Sequence, residues 1–186
     1  MEIVLASASP RRQELLKNAG FPFFVRPANL EEVRRPNEDP KAFAERMARE
    51  KAEAVHKSIP DACILAADTV VVVDDQVLGK PDSAADAARM LRLLAGRKHK
   101  VITGVCVLGT SFEDVRSETT TVRFNPLTDN EIQDYISTGE PLDKAGAYGI
   151  QGLASRWISR IEGDYFNVVG LPVALVWGML HEHGVL

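Results

Sequence analysis

The 186-residue chain has only two cysteines, Cys63 and Cys106, each inside an apolar run with strand character. Two thiols so placed make neither a disulfide framework nor a metal site, and the expected role is that of small buried core residues. No apolar stretch approaches the length of a membrane span. The opening Met1-Glu2-Ile3-Val4-Leu5 lacks the basic segment and long apolar core of a signal peptide, so a reducing cytoplasm is the expected location. Basic residues are not in excess either. A net charge of −4 and a pI near 5.6 argue against a partner such as DNA bound through a broad basic face, while leaving room for a local basic pocket that takes phosphates. The chain has no strand–Gly-x-Gly-x-x-Gly–helix fingerprint, no P-loop and no Gly-x-Ser-x-Gly elbow, and none of its four histidines has metal-ligand spacing. Low-complexity tracts and fixed-period repeats are absent too.

What is present is an ordinary globular composition, 45% hydrophobic and 26% charged, suited to one compact domain or two small lobes sharing a core. Short strands are expected at 3–6, 62–73, 77–78, 100–108, 115–124 and 157–161. Helices are expected after Ser9-Pro10, after Asp39-Pro40 to about His56, between Pro81 and Ala95, after Thr128 (a capping box with Glu131), and from Pro172 to near Gly184. A second half begins near Arg97. Strands and helices mix without strict alternation, which predicts an α/β fold with a mixed sheet and a cleft between two lobes.

The most informative residue is Asp68, in Cys63-Ile64-Leu65-Ala66-Ala67-Asp68-Thr69-Val70-Val71-Val72-Val73. A run this apolar reads as a strand covered on both faces. An ionised carboxylate there is costly unless a cation, a metal or several donors meet it. The bland alternative is a turn or a kink between two short strands. Lys51 is a second misplaced charge. At 100° per residue, Phe43, Ala44, Met47, Ala48, Ala52, Ala54 and Val55 share one half of a helix, and Lys51 is the only charged residue among them. Its stem could snorkel past the apolar edge, but a central position favours an ammonium that meets Asp68, a phosphate or both.

Ser7-Ala8-Ser9-Pro10-Arg11-Arg12 lies at a strand-to-helix junction. Free N–H groups, hydroxyls and two guanidinium groups make an anion site there. Two arginines conflict with the helix dipole, and a bound anion repairs that conflict. Lys80, in Leu78-Gly79-Lys80-Pro81, is weak evidence on its own. Glu31-Glu32 is either solvated charge or, with Asp68, part of a site for a hard divalent ion. Glycines at 146, 149 and 152 signal close backbone approach, to a ligand or to another strand. Gln151 among them offers donor and acceptor, suited to a base edge, or is simply solvated. His181 and His183 suit the end of the last helix, and His99 is placed at the surface or lining the cleft.

From Leu5-Ala6-Ser7-Ala8-Ser9-Pro10-Arg11-Arg12 to Val168-Val169-Gly170-Leu171-Pro172, the chain resembles the Maf family of nucleoside triphosphate pyrophosphatases. Arg49-Glu50-Lys51-Ala52, Ala66-Ala67-Asp68-Thr69-Val70-Val71, Leu78-Gly79-Lys80-Pro81, His99-Lys100-Val101-Ile102-Thr103-Gly104-Val105 and the Asp143–Gly152 loop carry the resemblance. It implies one domain over residues 1–186, with an elongated mixed sheet, flanking helices and two lobes around a central cleft, as in inosine triphosphate pyrophosphatases. The implied reaction splits the α–β phosphoanhydride of a nucleoside triphosphate with the help of Mg²⁺ or Mn²⁺. Asp68 matches the catalytic aspartate, and Glu32 the acidic residue associated with the metal. Ser7, Ser9, Arg11, Arg12, Lys51 and Lys80 match the phosphate- and substrate-binding set. Thr69, with Gln151 and Arg11, matches the branch acting on dTTP and UTP. The resemblance also makes a homodimer plausible and links the family to bacterial division arrest. Two other readings stand beside it: a house-cleaning pyrophosphatase for purine analogues, and a non-catalytic nucleotide-binding regulator of division.

Overall fold

The computed structural model describes residues 1–186. The chain begins with strand β1 (Ile3–Leu5) and helix α1 (Pro10–Asn18). The Ser9 hydroxyl accepts from the Arg12 N–H, Pro10 supplies the first helical residue, and Gly20 leaves the helix at φ +78°. After β2 (Phe23–Val25), helix α2 (Pro40–His56) starts at Asp39, whose carboxylate accepts from the N–H groups of Lys41 and Ala42, both at 3.0 Å. Strands β3 (Cys63–Val73) and β4 (Gln76–Leu78) form a hairpin through Asp74-Asp75, both with positive φ (45° and 61°). That geometry matches the right-handed twist of the flanking strands. Then come α3 (Ala84–Leu94), β5 (Lys98–Gly109), β6 (Phe112–Phe124) and α4 (Asp129–Ser137), the last with the expected Thr128–Glu131 capping box. Short 3₁₀ turns between Glu140 and Trp157 lead into β7 (Ile158–Glu162), α5 (Tyr165–Val169) and α6 (Val173–Glu182).

The fold is mixed α/β. Seven strands form one sheet in the order β2-β1-β3-β5-β6-β7, with β4 paired to β3. β1 runs parallel to β2 and β3, whereas β4 is antiparallel to β3 and β7 to β6. No helix is long and apolar enough to cross a membrane.

The chain folds into two compact units that are interleaved in sequence. One holds Met1–Asp68, Thr103–Glu118 and Gly170–Leu186, and the other Thr69–Ile102 and Thr119–Val169. The second half expected to begin near Arg97 is therefore not a unit of the fold. In the first unit, Ala48, Ala52 and Val55 of α2 pack on Val4, Ile64, Ala66 and Cys106 of the sheet. Approach is tight enough that a Cβ on Gly104 would lie 2.3 Å from the Ala44 carbonyl oxygen, so β5 needs glycine there. In the second unit, Ala87, Leu91 and Leu94 of α3 and Ile132 and Tyr135 of α4 join Val71, Val101, Val122 and Phe124 in the core.

Candidate active site

Asp68 stands in β3 with 4% of its surface exposed, so it is a strand residue and not a kink. Lys51, 9% exposed, reaches it from the apolar face of α2. The Lys51 ammonium donates to Asp68 Oδ1 and to Glu32 Oε1, both at 2.6 Å. Glu32 comes from the charged loop before α2 and keeps about half its side chain in solvent. One buried ammonium thus gathers two carboxylates from separate parts of the chain. Burial pushes the Asp68 carboxyl above the usual carboxylate range; Lys51 and Arg12 oppose the shift, and Glu32 adds to it.

The serine–arginine segment faces the same residues. Ser7, two residues past β1, is buried; its hydroxyl accepts from the Ser9 N–H and from Arg12 Nη1, both at 3.2 Å. Arg12 Nη1 also donates to the Ala67 carbonyl at 2.9 Å, one residue before Asp68, and Nε donates to the Gly170 carbonyl at 2.8 Å. Burial lowers its pKa, countered by Asp68 and Glu32. Arg12 therefore ties α1, β3 and the start of the last segment together within the first unit. Arg11 precedes it on α1, half-buried, and Ser9 caps that helix.

Thr69, Lys80 and Gln151 belong to the second unit. Thr69 is half-buried, and Lys80 and Gln151 are exposed. The Gly146 N–H donates to the Gly79 carbonyl at 3.0 Å, which seats the glycine loop beside the turn of Lys80. The close approach signalled by these glycines is to the protein itself. A Cβ on Gly146 would meet Val71 at 2.8 Å, one on Gly149 would meet Lys144 at 2.7 Å, and one on Gly152 would meet Glu140 at 2.0 Å.

His99 departs from its expected surface position. It is 2% exposed, inside β5, which starts two residues earlier than the sequence suggested. Its Nε2 pairs with the Tyr148 hydroxyl at 2.7 Å. Sequence reasoning also passed over Glu140, whose carboxylate accepts from the Tyr135 hydroxyl at 2.9 Å and from the Leu153 N–H at 3.1 Å. Nothing in Gly139-Glu140-Pro141 marks it, because its partners lie across a loop.

The family model described as Maf-like protein matches residues 2–183. This chain belongs to the Maf-like family. Among curated relatives of the family, the dTTP/UTP pyrophosphatase of Koribacter versatilis is 56% identical over 100% of this chain and 96% of its own length. The dTTP/UTP pyrophosphatase of Syntrophomonas wolfei is 53% identical over 97% of this chain and 96% of its own. Among solved structures, the Staphylococcus aureus Ham1 protein is similar over 67% of this chain and 72% of its own, with 18% identity and a TM-score of 0.48.

Proposed function

We propose that this Maf-like chain is a nucleoside triphosphate pyrophosphatase that hydrolyses dTTP and UTP to the monophosphate and pyrophosphate. The observation that carries the reading is the buried Asp68–Lys51 pair at 2.6 Å, in a chain whose full-length relatives bear that activity in their names. A carboxylate kept in a covered strand and held by one oxygen suits general-base work. Asp68 Oδ1 accepts from Lys51, which fixes the group; Oδ2 is the atom that takes the proton of the attacking water. Lys51, Lys80, Arg11 and Arg12 supply positive charge for the phosphates, and Ser7 and Ser9 supply hydroxyls. Thr69 and Gln151 read the base, Gln151 by offering both a donor and an acceptor.

A divalent ion, Mg²⁺ or Mn²⁺, completes the proposal. No group of three or more acidic, histidine or cysteine side chains is arranged to hold a metal. Two carboxylates, Glu32 and Asp68, stand side by side because both accept from the Lys51 ammonium, and an ion would have to sit beside that ammonium, not in its place. That donor set fits Mg²⁺, which is commonly held by one or two carboxylates together with substrate phosphates. When bound, the ion would polarise the phosphate oxygens and lower the pKa of a coordinated water.

The test is pyrophosphate release from dTTP, UTP, CTP, ATP, GTP and ITP, with and without Mg²⁺ or Mn²⁺. Metal-dependent release led by dTTP and UTP is expected, and Asp68→Asn is expected to lower kcat by roughly 10²–10⁴-fold. A purine-led profile would keep the reaction and replace the specificity. A folded Asp68→Asn protein with undiminished kcat would remove Asp68 from the mechanism, and silence across the panel would overturn the proposal.

A further inference from the structure

We infer that Glu140 is a positioning residue for base selection: its carboxylate clasps both flanks of the turn that presents Gln151. The inference rests on the proposed base-reading role of Gln151.

Residues 149–152 form a tight turn closed by the Gly152 N–H donating to the Gly149 carbonyl at 3.1 Å, with Ile150 and Gln151 at its corners. Ile150 is buried and Gln151 is exposed, so the turn presents Gln151 while anchoring its neighbour. A two-residue corner on its own is soft, and glycine at both ends makes it softer. Here both ends are held through one side chain. On the far side, the Leu153 N–H donates to both carboxylate oxygens of Glu140, at 3.1 and 3.2 Å. On the near side, the Gly149 N–H donates to the Tyr135 hydroxyl at 3.3 Å, and that hydroxyl donates to Glu140 Oε1 at 2.9 Å.

The Tyr135 ring is fully buried in the core of its unit, and its T-shaped contact with Trp157 is at 5.2 Å. The clasp is therefore fastened to a rigid element. Glu140 itself is held from behind, because its backbone carbonyl accepts from the Lys144 ammonium at 2.7 Å. Gly152 is part of the same device. Its missing side chain is the space the Glu140 carboxylate fills, since a Cβ there would lie 2.0 Å from Oε1. A hydrogen bond from Gln151 discriminates bases only if the amide stays aligned, and an error near 1 Å forfeits it. Glu140 acts on the backbone of Leu153 directly and on that of Gly149 by way of the Tyr135 hydroxyl, which makes it a positioning residue.

The experiment compares kcat and KM for dTTP and dCTP, because cytosine exchanges a donor and an acceptor on the edge an amide would read. The proteins are wild type, Gln151→Ala, Glu140→Ala, Glu140→Gln, Tyr135→Phe and the Glu140→Ala/Gln151→Ala double variant, each checked by thermal melting. Gln151→Ala is expected to cut the dTTP-to-dCTP ratio of kcat/KM by roughly tenfold or more. Glu140→Ala and Tyr135→Phe should cut it in the same direction, through KM, with kcat for dTTP changed less than about threefold. The double variant should be no worse than Gln151→Ala alone, because the two act on one contact. Glu140→Gln should recover most of the ratio, since its amide oxygen still accepts from Leu153.

Unchanged discrimination in folded Glu140→Ala and Tyr135→Phe, beside a loss in Gln151→Ala, would overturn the clasp and leave the base-reading role standing. Additive losses in the double variant would also overturn it. Unchanged discrimination in Gln151→Ala would remove the base-reading role and the clasp with it. If Glu140→Ala fails to fold, Tyr135→Phe decides alone, because it keeps the buried ring and removes only the bridging hydroxyl.

Discussion

His99 is a buried imidazole with one nitrogen bonded to Tyr148 and the other, Nδ1, without a partner. The rings of Phe124 and Tyr148 pack edge-on against it at 5.1 and 5.3 Å. Burial pulls its pKa down to about 4. In the unfolded chain the group titrates near pH 6.5. Between those values the unfolded chain binds a proton that the folded chain refuses, so stability is full above about pH 6.5 and falls as the pH drops toward 4. The loss at pH 5 is about 2 kcal/mol. His99→Gln, which can keep the bond to Tyr148, should flatten this dependence. Urea unfolding at pH 7.5 and pH 5 checks it, and a variant as acid-sensitive as the wild type would refute the assignment. The sequence concealed His99 because it stands in Arg97-Lys98-His99-Lys100, a basic cluster that looks solvated. Alternation along β5 turns the lysines outward and the histidine inward. Asp68 and Lys51 were legible for the opposite reason. Lys51 is a charge on a helix face otherwise apolar, exposed by the 100° period, and Asp68 is a charge inside a continuous apolar run. The inward bonds of Arg12 had no such signal, since its partner Gly170 is 158 positions away.

Among the elements, the charged loop before α2 looks in the sequence like solvated polarity, yet the helix grips it. Arg46 of α2 donates to both oxygens of Glu38, at 2.6 and 2.8 Å, and to the Val33 carbonyl at 2.9 Å. The bonds from Arg46 hold the Glu38 carboxyl down to about 2. The same loop carries Glu32, so Arg46 fastens the segment that delivers one of the two carboxylates to Lys51. Arg46→Ala should free this loop without unfolding α2. Trypsin is expected to cut after Arg34 several-fold faster in the variant, read by mass spectrometry of the fragments, whereas equal rates would show that the loop is held by other contacts. Most element positions were readable from caps and turns: Ser9-Pro10, Asp39-Pro40, Thr128 with Glu131, and Asp74-Asp75 all do what their chemistry favours. The helix Tyr165–Val169 leaves no mark in the sequence, because five residues are too few to display a helical period. The spacing of glycines marks the loop as a place of close approach, but it carries no sign of which groups approach. They are Val71, Lys144 and Glu140, which only the folded backbone brings there.

Across the whole molecule, the two thiols report on a single unit. Cys63 and Cys106 both lie in the unit that holds Asp68, both are fully buried, and burial pushes them up to about 11 and about 12. Ellman's reagent at pH 8 should leave both unmodified in the native protein and titrate two thiols in denaturant. Rapid native modification would mean that this unit opens far more often than its packing implies. The sequence supported a mixed α/β fold, but it could not show how the chain divides. Neither unit is a contiguous stretch, because β3, β5 and β6 each run from one into the other.

The bond from Arg12 to the carbonyl of Gly170 has a consequence for the order of events during synthesis. Both segments of the second unit, Thr69–Ile102 and Thr119–Val169, have been made before the ribosome reaches Gly170, whereas the unit containing Asp68 still lacks Gly170–Leu186. A nascent chain ending at Val169 already carries every side chain proposed here for hydrolysis, but Arg12 has no Gly170 oxygen to hold. The full set of bonds that fixes Arg12, to Ser7, Ala67 and Gly170, therefore closes only after Gly170 has been added.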